Sequence, residues 1–183
     1  MSAVHERIDG KIRAFIEAQK VFFVATAPLS AGGSVNLSPK GYDCFRILDD
    51  HTVAYLDLGG SGIETMAHIR ENGRVALMFM AMDGAPNIVR LHGHGEVTGF
   101  DDPGFAALMA LFPGFVRARN VVKVHVTRVS DSCGWGIPHF EYKGDREQLR
   151  RWVENRDDAD WRERRYASNA FSIDGLPGLT RPE

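Results

Sequence analysis

Hydrophobic positions change period several times along the chain, and each change marks an element. Ile8, Ile12, Phe15 and Ile16 share one helical stripe with charges opposite, which predicts an amphipathic helix over residues 4–20. V-F-F-V-A-T-A at 21–27 is instead a short, continuous β-rich run that Pro28 stops. After an S-A-G-G-S turn, Val35–Ser38 and Cys44–Leu48 read as strands, with Pro39-Lys40-Gly41 as a bend or bulge between them. T-V-A-Y-L-D-L at 52–58 is a clear strand. A helix opens at Gly59–Gly62, runs to about Glu71 and closes at Asn72-Gly73, where glycine suits the C-cap.

The second half repeats this alternation. Arg74–Met80 and Ile88–Thr98 read as strands on either side of the turn D-G-A-P-N. Asp101-Asp102-Pro103 predicts the cap of a short helix through Leu111. Val122, Val124 and Val126 alternate with Lys123 and His125, giving a strand over Val121–Val129. Beyond Gly144 one helix is expected to about Arg165, with Leu149, Trp152 and Val153 as a narrow apolar stripe and R-E-R-R at 162–165 as a solvated face. The tail, with Ile173, Leu176 and Leu179 among turn formers, reads as an extended arm packing on a partner subunit near the mouth of a site. At most steps the strands are too closely spaced for helical crossovers, which argues for an antiparallel barrel, whose closure also removes sheet edges.

Composition narrows the function classes. The 183 residues fit a single domain spanning 1–183, with an N-terminal helix and a C-terminal helix plus arm. A net charge of −2 gives no reason to expect nucleic acid or an anionic membrane as partner. No apolar run reaches membrane-spanning length, and the charged N-terminus lacks a signal-peptide core, so a cytoplasmic protein is expected. Cys44 and Cys133 form no C-x-x-C pair and are read as reduced thiols.

Three phrases could carry chemistry. Gly59-Gly60-Ser61-Gly62 can turn backbone N–H groups onto an anion at a helix N-terminus. The same residues also spell an S-x-x-E capping box, Ser61 to Glu64, which needs no ligand. Trp135, between Gly134 and Gly136, can lie flat against a ring or anchor a core turn. His92 and His94 share one strand face at metal or haem spacing, but no third ligand is apparent and no metal site is assigned.

In order and spacing, V-N-L-S-P-K-G at 35–41, L-D-L-G-G-S-G-I-E-T at 56–65, E-N-G-R-V-A-L-M-F at 71–79 and I-V-R-L-H-G at 88–93 resemble the pyridoxamine 5′-phosphate oxidase-like family of FMN-binding split barrels. The resemblance spans about residues 15–140. It implies a six-stranded antiparallel split β-barrel with peripheral helices, and a homodimer sharing one FMN at each of two interface sites. It implies an FMN-dependent oxidoreductase acting on an undefined small molecule. The cofactor-binding residues it implies are Asn36, Leu37, Ser38 and Lys40 on the flavin-edge strand, Asp57, Ser61, Gly62 and Thr65 at the phosphate turn, and Arg90 and Trp135 near the flavin. The chain departs from the oxidases proper at Ile63-Glu64-Thr65, where those enzymes place basic residues. It also lacks their tyrosine-and-arginine grip on pyridoxal phosphate, so a different substrate is expected. No catalytic acid or base is assigned. The alternatives are a haem-binding or haem-degrading split barrel using His92 or His94, and a flavin-binding stress or redox protein without turnover. A deazaflavin in place of FMN also stays open.

Overall fold

A computed structural model describes residues 2–182. Eight strands form one antiparallel sheet, where six were expected. They are β1 (Ala3–His5), β2 (Phe22–Thr26), β3 (Asn36–Lys40), β4 (Phe45–Ile47), β5 (Thr52–Asp57), β6 (Arg74–Met80), β7 (Ile88–Gly99) and β8 (Asn120–Ser132). The order is β3-β2-β6-β7-β8-β5-β4, with β1 pairing the far end of β8. The sheet curls until its two ends meet through aromatic side chains. Phe45 of β4 lies 5.1 Å from Phe22 of β2 and 5.0 Å from Phe79 of β6, although five strand positions separate β4 from β2. Val24, Val53, Leu77, Leu91, Val121 and Val124 fill the interior at 0% exposure. The result is a mainly β, curled half-barrel, as the strand pattern predicted.

The boundaries differ where capping chemistry decides them. The first helix, α1 (Gly10–Ala18), begins at Gly10 rather than near residue 4. The Asp9 side chain accepts from Lys11 and Ile12 N–H and caps it there, and Ala3–His5 are drawn onto β8. β3 runs through Pro39 and Lys40, which were expected to form a bend. Pro39 is tolerated because β3 is an edge strand. The break falls instead at Tyr42, whose φ of 63° makes it the one non-glycine residue with positive φ among the described residues.

α2 (Glu64–Asn72) ends at Gly73 in the left-handed region, as expected. Its start corrects the capping-box reading. Ile63 is the N-cap and no side chain caps it. α3 (Phe105–Met109) is also uncapped by side chains, because Asp102 turns back to accept the Gly99 N–H. The single C-terminal helix is two, α4 (Gln148–Glu154) and α5 (Asp158–Ser168), since Asp157 accepts from the Asp160 N–H and starts a new helix.

The C-terminal arm packs on its own chain. Leu179 is buried with Ile63, Met66, Phe100 and Trp161, and Asn169 O and Ala170 O accept the Leu179 and Gly178 N–H groups. A Cβ at Gly178 would stand 2.4 Å from Asn169 O, so the arm can approach this closely only with glycine there.

Candidate functional site

A cavity of about 480 Å³, within the range of small-molecule sites, opens between edge strand β3, the end of β5 and the start of α2. Alternation along β3 turns Asn36, Ser38 and Lys40 toward it. The opposite wall is the loop Leu58–Gly62 together with Glu64 and Thr65.

The loop is held from behind. Arg165 donates to Gly59 O at 3.1 Å and to Gly60 O at 2.8 Å, and Asn169 Nδ2 donates to Ser61 O at 3.1 Å. Neither Arg165 nor Asn169 lines the cavity. In a trans peptide the C=O of one residue and the N–H of the next point in opposite directions, and no peptide here is cis. Anchoring these three carbonyls therefore turns the N–H groups of Gly60, Ser61 and Gly62 to the cavity side. Among the described residues, none of the three meets a protein acceptor.

A buried charge cluster fixes the loop's root. The Asp57 carboxylate accepts from Arg119 Nη2 at 2.7 Å and from the Gly59 N–H at 3.1 Å, and Lys40 Nζ stands 3.8 Å away. Arg119 also reaches Gly62 O at 2.5 Å, so one guanidinium spans both ends of the loop. Burial alone would raise the Asp57 pKa, but Arg119 and then Lys40 outweigh it, and the carboxyl is held well below its ordinary value. Asp57 is thus held as an anion near neutral pH, where it orders the loop and keeps two cations at the cavity wall.

Glu64 stands where the cavity meets the neighbouring groove. Its carboxylate folds over Gly62 and accepts the Ile173 N–H of the arm at 3.3 Å. A Cβ at residue 62 would lie 2.2 Å from Glu64 Oε2, so the glutamate can fold over the loop in this way only while residue 62 has no side chain. Thr65 is buried and accepts from Asn36 Nδ2 at 2.9 Å. Asn36 Nδ2 also reaches Thr26 Oγ1 at 3.4 Å, and Thr26 Oγ1 bonds His68 Nδ1 at 3.0 Å. This polar chain locks the two cavity-lining groups. The Ser38 hydroxyl oxygen is buried without a protein partner.

The structure therefore brings Asn36, Ser38, Lys40, Asp57, Ser61, Gly62 and Thr65 to one cavity. Leu37 points the other way, 64% exposed, into an adjoining groove. Arg90 and Trp135 lie elsewhere. Arg90 donates to Ser132 Oγ at 2.9 Å and steadies the root of the loop whose tip carries Trp135, itself 81% exposed. The sequence reading missed Arg119 and Arg165. Arg165 is 7% exposed on a face expected to be solvated, and Arg119 meets Asp57 across 62 residues of chain.

His92 and His94 line a separate shallow trough with Arg74 and Thr127. Burial, then Arg128 and Arg90, lowers the His92 pKa. Among the described residues no three His, Cys, Asp or Glu side chains are grouped as a metal site needs. Cys44 is buried at the cavity wall. Burial pushes its pKa up to about 12, which makes it a poor nucleophile. Among the described residues no helix is long and apolar enough to cross a membrane.

The residues fit the phosphate end of a flavin mononucleotide. The N–H groups of Gly60, Ser61 and Gly62, the Ser61 hydroxyl, Lys40 and buried Arg119 would take the phosphate, and the unpartnered Ser38 hydroxyl and the open β3 edge would take ring polar atoms. Comparison with known proteins agrees with this frame. A pyridoxamine 5′-phosphate oxidase family protein from Aspergillus flavus, ustO, is 35% identical over 98% of this chain and 78% of its own length. HupZ from Group A Streptococcus superposes with a TM-score of 0.53 at 25% identity, over 67% of this chain and 91% of that one. The sequence model described as pyridoxamine 5′-phosphate oxidase matches residues 8–133, and this chain belongs to that family of split barrels.

Proposed function

We propose that the protein binds FMN in the β3–α2 cavity, as a homodimer, and acts as an oxidoreductase on a small molecule. The observation that carries the reading is the Gly59–Gly62 loop, tied back by Arg165 and Asn169 so that three N–H groups face the cavity. Lys40 and Arg119 offset phosphate charge, and Ser61 adds a hydroxyl. The bound flavin would supply hydride chemistry. The chain's own part is to hold, orient and shield it.

FMN is favoured over FAD because the chain offers one such loop and no G-x-G-x-x-G fingerprint after a strand. No second phosphate grip lines the cavity, which supports a substrate other than pyridoxamine phosphate. The homodimer rests on the cavity's open side and on exposed Trp135, which one protomer leaves uncovered. The test is reconstitution with FMN, riboflavin and haem, followed by turnover assays with NADH or NADPH. Binding of FMN well above riboflavin supports the phosphate loop. Equal binding of the two, or a Soret band in the purified protein, refutes it. FMN binding without turnover would assign a flavin-carrying role instead.

A further inference from the structure

Beyond the phosphate loop the cavity continues into a groove of about 560 Å³, which shares Asn36, Ser61, Gly62 and Glu64 with it. A chain longer than one phosphate that leaves the loop past Ser61 and Gly62 enters this groove. Its walls are Val35, Leu37, Phe171 and Ile173, all more than 60% exposed. Apolar walls of this kind would suit a nucleoside, so shape alone does not close the groove to a dinucleotide.

Charge does. Among the described residues no lysine, arginine or histidine lines the groove. Glu64 stands at its junction with the cavity, half-buried and paired with no cation among the described residues. Asp174 stands beyond, fixed by the Ser34 N–H at 2.7 Å and the Ser34 hydroxyl at 3.0 Å. The cations of the site, Lys40 and Arg119, lie on the cavity side, beside Asp57 and away from the groove. An anion past the first phosphate would meet the Glu64 carboxylate in the groove wall, with Asp174 behind that wall and no compensating cation in its lining.

We propose that Glu64 is a cofactor-selectivity residue. With one phosphate on the Gly60–Gly62 amides, its carboxylate turns away flavins that carry further negative charge beyond that phosphate. These are FAD, with its second phosphate, and deazaflavins with an oligoglutamyl tail. The inference rests on the reading that this cavity holds FMN.

The experiment measures dissociation constants of the full-length protein for riboflavin, FMN, FAD and an oligoglutamyl deazaflavin by flavin fluorescence, at low and high salt. It compares the wild type with Glu64→Gln and Glu64→Lys. Glutamine can still accept the Ile173 N–H, so the arm keeps its anchor. The wild type is expected to prefer FMN over FAD by about tenfold or more, with the preference shrinking in high salt. Glu64→Gln should close most of that gap and Glu64→Lys should reverse it for the glutamyl tail, while the FMN-to-riboflavin ratio stays high. If FMN binds through its phosphate but the FAD ratio is the same in all three proteins, Glu64 does not select and the inference falls. A preference that salt leaves untouched overturns it too, in favour of steric exclusion. If FMN and riboflavin bind alike, the phosphate reading itself fails.

Discussion

Arg119 and Asp57 meet at 2.7 Å with both residues 3% exposed, and this pair organises the cavity. Arg119 continues to Gly62 O and Asp57 to the Gly59 N–H, so the ion pair clasps the phosphate loop at both ends. Replacing Asp57 with asparagine leaves a buried, uncompensated guanidinium, for which about 3–5 kcal/mol of destabilisation is expected. The pH dependence follows from the sign of the shift. A carboxyl whose folded-state pKa is depressed stabilises the fold above its unfolded value, near about 3.9. That contribution is lost as pH falls through the folded value. Wild-type thermal stability should therefore drop on acidification below about pH 4, and Asp57→Asn should drop less steeply. Parallel acid limbs in the two proteins would show that Asp57 is not the group that titrates.

The fully buried His68 has one hydrogen bond, to Thr26 Oγ1 at 3.0 Å, and through Thr26 it supports Asn36 and Thr65. Thr26→Val keeps the shape and removes the hydroxyl. Orphaning a buried ring nitrogen should cost about 1–3 kcal/mol. Because Asn36 and Thr65 line the cavity, flavin affinity should fall as well. Urea unfolding read beside flavin titration checks both, and a stability loss with unchanged affinity would confine the chain to a structural role.

These two features differ in how legible they were. Alternation and turn chemistry are local, so the strands, the glycine loop and the close of α2 at Gly73 could be read from neighbouring residues. Seven of the cofactor-binding residues expected share one cavity because they sit on two segments, 36–40 and 57–65, whose periodicity declares which side chains align. Arg119 and Arg165 carry no such signal. Each finds its partner only after the sheet has curled, 62 residues from Asp57 for Arg119 and 106 from Gly59 for Arg165. Arg165 even sits in a run of charges that reads as solvated, and only its contacts with Trp152 and the loop carbonyls give it a buried role. The helix starts moved for a related reason. Helix α2 starts at Ile63 with no side-chain cap, while the Ser61 carbonyl is held by Asn169, a residue 108 positions away.

Tyr42 holds an unfavourable backbone conformation where the cavity wall meets the strap before α4. Its hydroxyl donates to Arg146 O at 2.5 Å, and Arg150 stacks 5.6 Å from its ring. Tyr42→Phe keeps the ring and removes the hydroxyl. Global stability should fall by no more than about 1.5 kcal/mol, while hydrogen exchange quickens locally over residues 142–150. Unchanged exchange there would mean that the strap is held by Leu149 and Arg150 alone.

The two thiols should separate sharply in reactivity. Cys44 is 2% exposed, donates to Gly41 O at 2.9 Å and has its pKa pushed up to about 12, so at pH 8 it is almost wholly protonated. Cys133 is exposed. Iodoacetamide should label Cys133 within minutes and leave Cys44 unmodified in the native protein, as peptide mass spectrometry would read. Labelling of both at similar rates would mean that the cavity wall opens on that timescale.

Trp135 tests whether the site is shared between protomers. It is 81% exposed at the tip of a loop that Arg90 steadies through Ser132, and it lies away from the cavity of its own chain. An exposed side chain contributes little to monomer folding, so Trp135→Ala should change unfolding free energy by no more than about 0.5 kcal/mol. If a second protomer brings this loop over the flavin, the same substitution should weaken self-association, raise flavin fluorescence and speed flavin release. Sedimentation over a dilution series, read beside bound-flavin fluorescence, separates the cases. Flavin retained on a monomer, with fluorescence unaltered by the substitution, would mean that one protomer completes the site and that Trp135 faces solvent.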